Sequence, residues 1–277
     1  VRPAEVARRG ADYLARHGVA SPLPTAEVLL ADVLGTDRTG IYARDEGLTA
    51  QEARRFGRAL CRRCSGIPVQ HLTGRQAFRR LVVRVRPGVF IPRPETEILV
   101  EAALESIRDL DRPLVVDVGT GTGAVALSIA DEHPGSRVLA TDLSAEALTL
   151  ASENAAELGL AVEVLRSDLL DGLPSDLRGV LDLVVSNPPY VDPASADALP
   201  PEVRADPAHA LFGSLALTGR LLRESAGWLR SGGAVAVEIE ETTAGHVSAA
   251  ARDAGLLEVR VLPDLNGRDR VVTARRP

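Results

Sequence analysis

Leu114-Val115-Val116-Asp117-Val118-Gly119-Thr120-Gly121-Thr122-Gly123-Ala124 is the stretch that decides the fold. Its first five residues are mostly apolar and β-branched and predict a strand; alternate glycines predict a tight turn; the Ala- and Leu-rich run to Glu132 predicts a helix. The alternation continues downstream. Strands are expected at 137–141, Val162–Arg166 and Leu181–Ser186, with a helix at Ala145–Leu158. A helix at 217–229, a strand at 234–239, a helix at 243–254 and strands at 257–262 and 271–274 follow. Apolar strands separated by helices predict an α/β fold whose mainly parallel, seven-stranded sheet is covered by helices on both faces. In the helix Ala145–Leu158, Ser144 is the expected N-cap, Leu148, Ala151, Ala155 and Leu158 the buried stripe, and Gly159 the stop.

Upstream the pattern changes. One helix at 95–110 leads into the α/β module, and residues 76–86 alternate apolar residues with arginine, placing Leu81, Val83 and Val85 on one side of a strand pair. Before residue 72, Val6, Tyr13, Leu14, Val28, Leu29, Val33, Leu34, Phe56, Leu60 and Cys64 recur at helical spacing, for a bundle of three or four helices. The expected organisation is a helical substrate-docking domain at 1–72, a β-hairpin linker at 73–92 and a catalytic domain at 93–277.

With 277 residues, 45% apolar and 25% charged, the chain can bury a real core and is not globally disordered. No run reaches the roughly 18 apolar residues of a spanning helix, so no membrane is expected as a partner. The amino end reads as a charged helix rather than a leader, and two cysteines suit a reducing compartment, so a cytoplasmic location is expected. Every one of the 32 basic residues is arginine. Residues 1–80 carry a net charge of +6 and the remainder −12, which suggests two modules with different partners or chance clustering on solvated faces.

The glycine turn defines a cofactor class. Its spacing is G-x-G-x-G, shorter than the G-x-G-x-x-G that lays a pyrophosphate on a helix end. An amino-acid carboxylate and ammonium can sit against Asp117, Gly119, Thr120, Gly121, Thr122 and Gly123, whereas a pyrophosphate needs the longer turn. Asp142 ends the next strand, where an acid accepts ribose hydroxyls, and Asp168 ends the third, where it can accept from an adenine amino group. Together they suit S-adenosyl-L-methionine, leaving S-adenosyl-L-homocysteine as product, better than NAD. A structural glycine turn in another α/β protein is the alternative.

Asn187, Pro188, Pro189 and Tyr190 follow the fourth strand, at a sheet end where open α/β folds bind ligands. The prolines fix the backbone, and the Asn187 side-chain oxygen with the Pro188 carbonyl makes a pair of acceptors for a planar NH2 group. A substrate lacking two N–H groups leaves acceptors unpaired, at about 1–3 kcal/mol each. Tyr190 can stack on the planar group. Drawing both protons toward acceptors localises a delocalised nitrogen lone pair in line with a sulfonium methyl. Asn187, Pro188 and Tyr190 are therefore the candidate catalytic residues.

Several further runs carry a family resemblance: Pro68 to Gly74; Phe90-Ile91-Pro92-Arg93-Pro94-Glu95-Thr96-Glu97; the glycine turn; Val185 to Tyr190; Ala210-Leu211-Phe212-Gly213; and Asn266 to Val272. With these the chain closely resembles the PrmC (HemK) family, which methylates the glutamine side-chain amide of peptide chain release factors. The resemblance implies a Rossmann-like class I methyltransferase fold with a small amino-terminal helical bundle, and the glutamine of a Gly-Gly-Gln loop as substrate. It further implies that Gly119 to Gly123, Asp142 and Asn187 contact S-adenosylmethionine and that Asn187 to Tyr190 hold the glutamine. Leu169 departs from the pattern, since many relatives carry an aromatic residue there to stack on adenine. Ser214, Leu215 and Ala216 are also atypical.

Other signals carry less. Cys61 and Cys64 lie one helical turn apart with no second ligand pair, and the five histidines lack metal spacing, so no metal is expected. Glu238, Glu240 and Glu241 end the fifth strand without an assigned role, and Arg93, Glu95 and Glu97 are expected to order a loop over the cofactor. Two alternatives stay open: methylation of an exocyclic amine on a nucleic-acid base, and a catalytically silent adenosyl-binding adaptor. The −12 module and the lack of a basic strand-tracking groove speak against nucleic acid, and the intact Asn187 turn against the adaptor.

Overall fold

A computed structural model describes residues 1–190 and 203–277, and the chain forms two compact units. The first holds Val1–Arg75. Its helices are α1 (Pro3–Arg16), α2 (Pro22–Leu34), α3 (Arg38–Ala43), α4 (Ala50–Cys64) and α5 (Val69–Thr73). Leu14, Leu29, Leu30, Val33, Phe56 and Leu60 form its buried centre, while Tyr13 and Val28, expected among the apolar positions, are exposed. Thr49 and Glu52 close a reciprocal capping box that starts α4. The bundle thus has two short helices, α3 and α5, that periodicity over 1–72 did not separate.

The second unit begins at Gln76. A hairpin of β1 (Arg75–Phe78) and β2 (Leu81–Arg84) turns at Arg79, and Leu81, Val83 and Val85 are buried as the alternation required. Then come α6 (Thr96–Ile107), β3 (Leu114–Val118), α7 (Ala124–Glu132), β4 (Arg137–Asp142), α8 (Ala145–Leu158), β5 (Val162–Arg166), β6 (Leu181–Ser186), α9 (Ala208–Leu211), α10 (Leu215–Trp228), β7 (Leu229–Glu238), α11 (Ala244–Asp253), β8 (Leu257–Pro263) and β9 (Asp269–Arg275).

The seven strands run β5-β4-β3-β6-β7-β9-β8, parallel except that β9 is antiparallel to both β7 and β8. This is the mixed, helix-covered sheet of the class I methyltransferase fold. Side chains alternate between two cores: Val115, Val138, Ala140, Leu183 and Val185 pack with α6 and α7, whereas Val116, Leu139, Val184 and Val235 pack with α10 and α11. Polar atoms tie neighbouring strands together. Asp182 Oδ2 accepts from Leu114 N (2.7 Å), Ser186 Oγ donates to Val118 O (2.7 Å), and Thr141 Oγ1 donates to Asp117 O (3.3 Å).

Two local expectations need correction. In α8, Ala147, Leu150, Ala151, Asn154 and Ala155 are the buried face and Leu148 is only half-buried, so the stripe is rotated toward the hairpin, where Asn154 bonds Arg84. Strand β7 starts at Leu229 rather than 234, because a register shift opposite Leu181/Leu183 absorbs the Ser231-Gly232-Gly233 segment.

Candidate active site

Strand order reverses between β4 and β6 on either side of β3, and the carboxyl ends of these three strands form a crevice. A cavity of about 600 Å³ lies there. Asp117, Gly119 to Thr122, Asp142, Asp168, Leu169, Asn187, Pro188 and Pro189 all line it. Gly123 is not in its wall and acts one step back, as the residue before α7.

All three turn glycines adopt positive φ, at 73° for Gly119, 56° for Gly121 and 84° for Gly123, a region costly for residues with a Cβ. Asp117 fixes the turn from beneath: its Oδ2 accepts from Thr120 Oγ1 (2.7 Å) and Ala126 N (3.2 Å). Burial pushes its carboxyl up to about 7, against the pull of those two hydrogen bonds. Asp142 accepts from Gly121 N (3.0 Å) and Ser144 N (2.9 Å), which holds its carboxylate at the crevice. Asn154 braces the far side, donating to Thr122 O (2.8 Å) and Arg84 O (3.2 Å) and accepting from Arg84 N (2.8 Å), so that hairpin and glycine turn share one buried amide.

The third acid is placed differently. Asp168 is half-exposed and both its oxygens take Arg220 Nη1, at 3.1 and 3.0 Å, while Arg220 also reaches Asp171 and Glu224. Leu169 beside it has φ 50°, a left-handed conformation uncommon for a branched residue, and turns an apolar side chain to the cavity along with Leu143, Ala210 and Leu217.

At the opposite end, Asn187 Nδ2 donates to Thr96 Oγ1 (3.1 Å), which leaves Oδ1 as the acceptor end of the side chain. Tyr190 is not among the cavity-lining residues; its hydroxyl donates to Glu238 Oε1 (3.3 Å), and burial raises the phenol above its ordinary range. Glu238 is only 2% exposed and burial pushes its carboxyl up to about 7. Gly213 packs directly on the Pro189 carbonyl, so the Ala210-Leu211-Phe212-Gly213 run backs the diproline corner. Arg93 pairs with the buried Asp206 and lies over the Phe90 ring, while Asp206 Oδ1 accepts from Ile91 N (3.1 Å). Glu97 Oε1 instead accepts from Arg79 N (3.0 Å) at the hairpin turn, so of the three charged residues expected to order this loop only Arg93 has, among the described residues, a contact that ties it down. Asn154 and Asp206 carry no signal in the sequence, whereas Thr96 and Gly213 sit inside runs that carry the family resemblance and Glu238 closes an apolar strand, each without a role that spacing alone could assign.

A family model described as the PrmC N-terminal domain matches residues 5–74, and one described as the methyltransferase small domain matches 81–203. The release factor glutamine methyltransferase of Moorella thermoacetica is 44% identical over 95% of this chain and 94% of its own. The protein of the same name from Deinococcus radiodurans is 42% identical over the same shares. The chain belongs to the release factor glutamine methyltransferase family. The Streptomyces coelicolor member is 41% identical over 99% of this chain and 97% of its own. Among solved structures, the hMettl16 catalytic domain in complex with MAT2A 3'UTR hairpin 1 superposes with a TM-score of 0.56 at 16% identity, covering 82% of this chain and 83% of that one, a likeness of fold.

Proposed function

We propose that this chain methylates the side-chain amide nitrogen of the glutamine in the Gly-Gly-Gln loop of peptide chain release factors, with S-adenosyl-L-methionine as donor. One observation carries the reading: Asn187, fixed by its Nδ2 on Thr96, stands with Pro188 in the wall of the same crevice as the glycine turn and Asp142. The crevice fits the donor. Its volume is within the range of small-molecule sites, Asp142 in its wall would accept from ribose hydroxyls, and Leu143, Leu169 and Leu217 would supply an apolar slot for a base. Asp168 would serve the adenine amino group while still holding Arg220. When bound, S-adenosylmethionine supplies an electrophilic methyl carbon.

The protein's own part is positional and electrostatic. Asn187 Oδ1 and the Pro188 carbonyl each accept one N–H of the glutamine amide, which orients the nitrogen and draws its lone pair out of conjugation. Tyr190 does not line the cavity, and its part is to anchor the chain just after the diproline corner through its hydroxyl on Glu238. The methylated nitrogen is acidic enough to release its surplus proton to water, so no dedicated base is required. The +6 segment at 1–80 supplies a cationic surface for a protein partner in the cytoplasm, and the −12 remainder opposes a polyanionic substrate.

Mass spectrometry of a release factor before and after incubation with enzyme and donor is expected to show one added methyl on the loop glutamine. Asn187→Ala is expected to abolish it. Label transferred to DNA or RNA instead of the factor refutes the substrate, and unchanged turnover in Asn187→Ala refutes the role of the side chain.

A further inference from the structure

Two residues of α10 hold the turn that follows β5. Arg220 Nη1 reaches both oxygens of Asp168 (3.1 and 3.0 Å), its Nη2 donates to Asp171 Oδ2 (2.9 Å) and its Nε to Glu224 Oε1 (2.6 Å), so every nitrogen of the guanidinium is engaged. Glu224, one helical turn further on, accepts from Leu170 N (3.4 Å) through its other oxygen, and Asp171 N donates to the Asp168 carbonyl (3.1 Å). Asp168 and Leu169 line the cavity, whereas Arg220 does not. The guanidinium therefore stands behind the acid, outside the ligand space. We propose that Arg220 is a positioning residue that makes the cavity selective for a 6-amino purine, by holding Asp168 as a fixed acceptor at the slot of Leu143, Leu169 and Leu217. The proposal rests on the S-adenosylmethionine reading of the crevice and names the group that lets it tell adenine from a 6-oxo base.

Stability does not account for the arrangement. The Arg220 and Asp168 side chains are 37% and 49% exposed, and an ion pair so open to water contributes little to folding. Orientation does account for it. Three carboxylates, those of Asp168, Asp171 and Glu224, meet on one cation. Without that cation they repel one another, and Asp168, beside a residue with φ 50°, is free to swing toward water. A 6-amino group donates to a carboxylate held in place. A 6-oxo group sets oxygen against oxygen and is repelled. Its neighbouring N1–H can be met only if the carboxylate is re-aimed, and the Arg220 fork opposes that movement. A lysine ammonium is a point charge on a flexible stem, which offsets the charge without fixing the direction.

The test measures binding of S-adenosyl-L-homocysteine and of S-inosyl-L-homocysteine by calorimetry, with thermal melting alongside, in the wild-type protein, Arg220→Met, Arg220→Lys and Asp168→Asn. The wild-type protein is expected to prefer the adenosyl compound by about 10- to 100-fold, the worth of one hydrogen bond to a charged group. Arg220→Met keeps the aliphatic stem and removes the fork; the preference should fall to about threefold or less. Its melting temperature should stay within about 4 °C of wild type. Arg220→Lys should recover a part of the preference, and Asp168→Asn, whose amide can donate to a 6-oxo group, should lose it. An undiminished preference in Arg220→Met or Asp168→Asn, or equal wild-type affinity for the two compounds, overturns the positioning role while leaving the donor assignment standing. A melting temperature lowered well beyond that margin in Arg220→Met assigns the residue to the fold and overturns it likewise. A wild-type protein that binds neither compound removes the donor assignment and the proposal with it.

Discussion

Replacing Gly213 by alanine is expected to disable methyl transfer while sparing the cofactor site. A Cβ built on Gly213 falls 2.5 Å from the Pro189 carbonyl carbon, closer still to its oxygen, and 3.1 Å from the Pro189 Cβ. Carbon atoms rest at about 3.5–4.0 Å, so the corner and the 210–213 run must part by about an ångström. Pro189 cannot absorb this by rotating its φ, because its ring fixes that angle, so the displacement passes to Pro188 and Asn187. An ångström at a positioning group costs about 100-fold in rate, and overpacking of this size costs about 1–3 kcal/mol in stability. The glycine turn, Asp142 and Leu169 lie on other strands and are untouched, and of the displaced 210–213 run only Ala210 lines the cavity. The assay pairs steady-state methylation of a release factor with calorimetric donor binding. A fall of about 100-fold in kcat/KM with donor affinity held within about threefold is the expected pair of results. Wild-type turnover in Gly213→Ala would show that the corner's position is not what the reaction depends on.

Three further outcomes follow from buried polar contacts. Asn154→Ala removes one amide that serves Thr122 and both backbone groups of Arg84, so the unfolding free energy should fall by about 2–3 kcal/mol and donor affinity with it; denaturant melts showing no loss would contradict the bracing role. Arg93→Ala strands the fully buried Asp206 carboxylate and should cost about 3–5 kcal/mol, whereas adding Asp206→Asn should recover part of it; strict additivity in that double-mutant cycle would mean the pair is not coupled. Glu238, raised by burial from 4.5 to about 7, binds its proton more tightly folded than unfolded, so its contribution is fully present below about pH 4.5 and is lost as pH rises through about 7. The stability of the wild-type protein relative to Glu238→Gln should thus decline over that interval, and a flat difference in paired melts would place the titration elsewhere.

How much could be read in advance depended on whether a residue's role is local. The glycine turn, the acids closing β4 and β5, and Asn187 to Tyr190 are each defined by their neighbours in the chain, and the structure brings them to one cavity wall except for Gly123 and Tyr190. Thr96 stands 91 residues from Asn187, and Glu238 stands 48 from Tyr190; each pair meets only through the fold, so no short window of sequence contains either contact. Leu169 is the same kind of case: its left-handed backbone arises from the turn after β5 and not from any preference of leucine. In α8 the error was one of phase. A helix rich in Ala and Leu offers more than one plausible apolar face, and the choice fell to the hairpin that Asn154 reaches. Asp168 was located correctly in the chain, but its tie to Arg220, 52 residues away, required the fold.

The two cores on either side of the sheet carry an implication for how the strands find their alignment. In a half-exposed sheet a slip of one position throws greasy residues into water and is forbidden at once. Here Val115 and Val116, or Leu183 and Val184, would merely exchange one oily layer for another, so hydrophobicity is a weak referee. The decision passes to Asp182, Ser186 and Thr141, whose polar atoms find mates in a single alignment. Ser186 immediately precedes Asn187 and Thr141 immediately precedes Asp142. The chain therefore checks its own alignment at the very strand tips where reactants would be gathered, and a misaligned sheet would be a disarmed one.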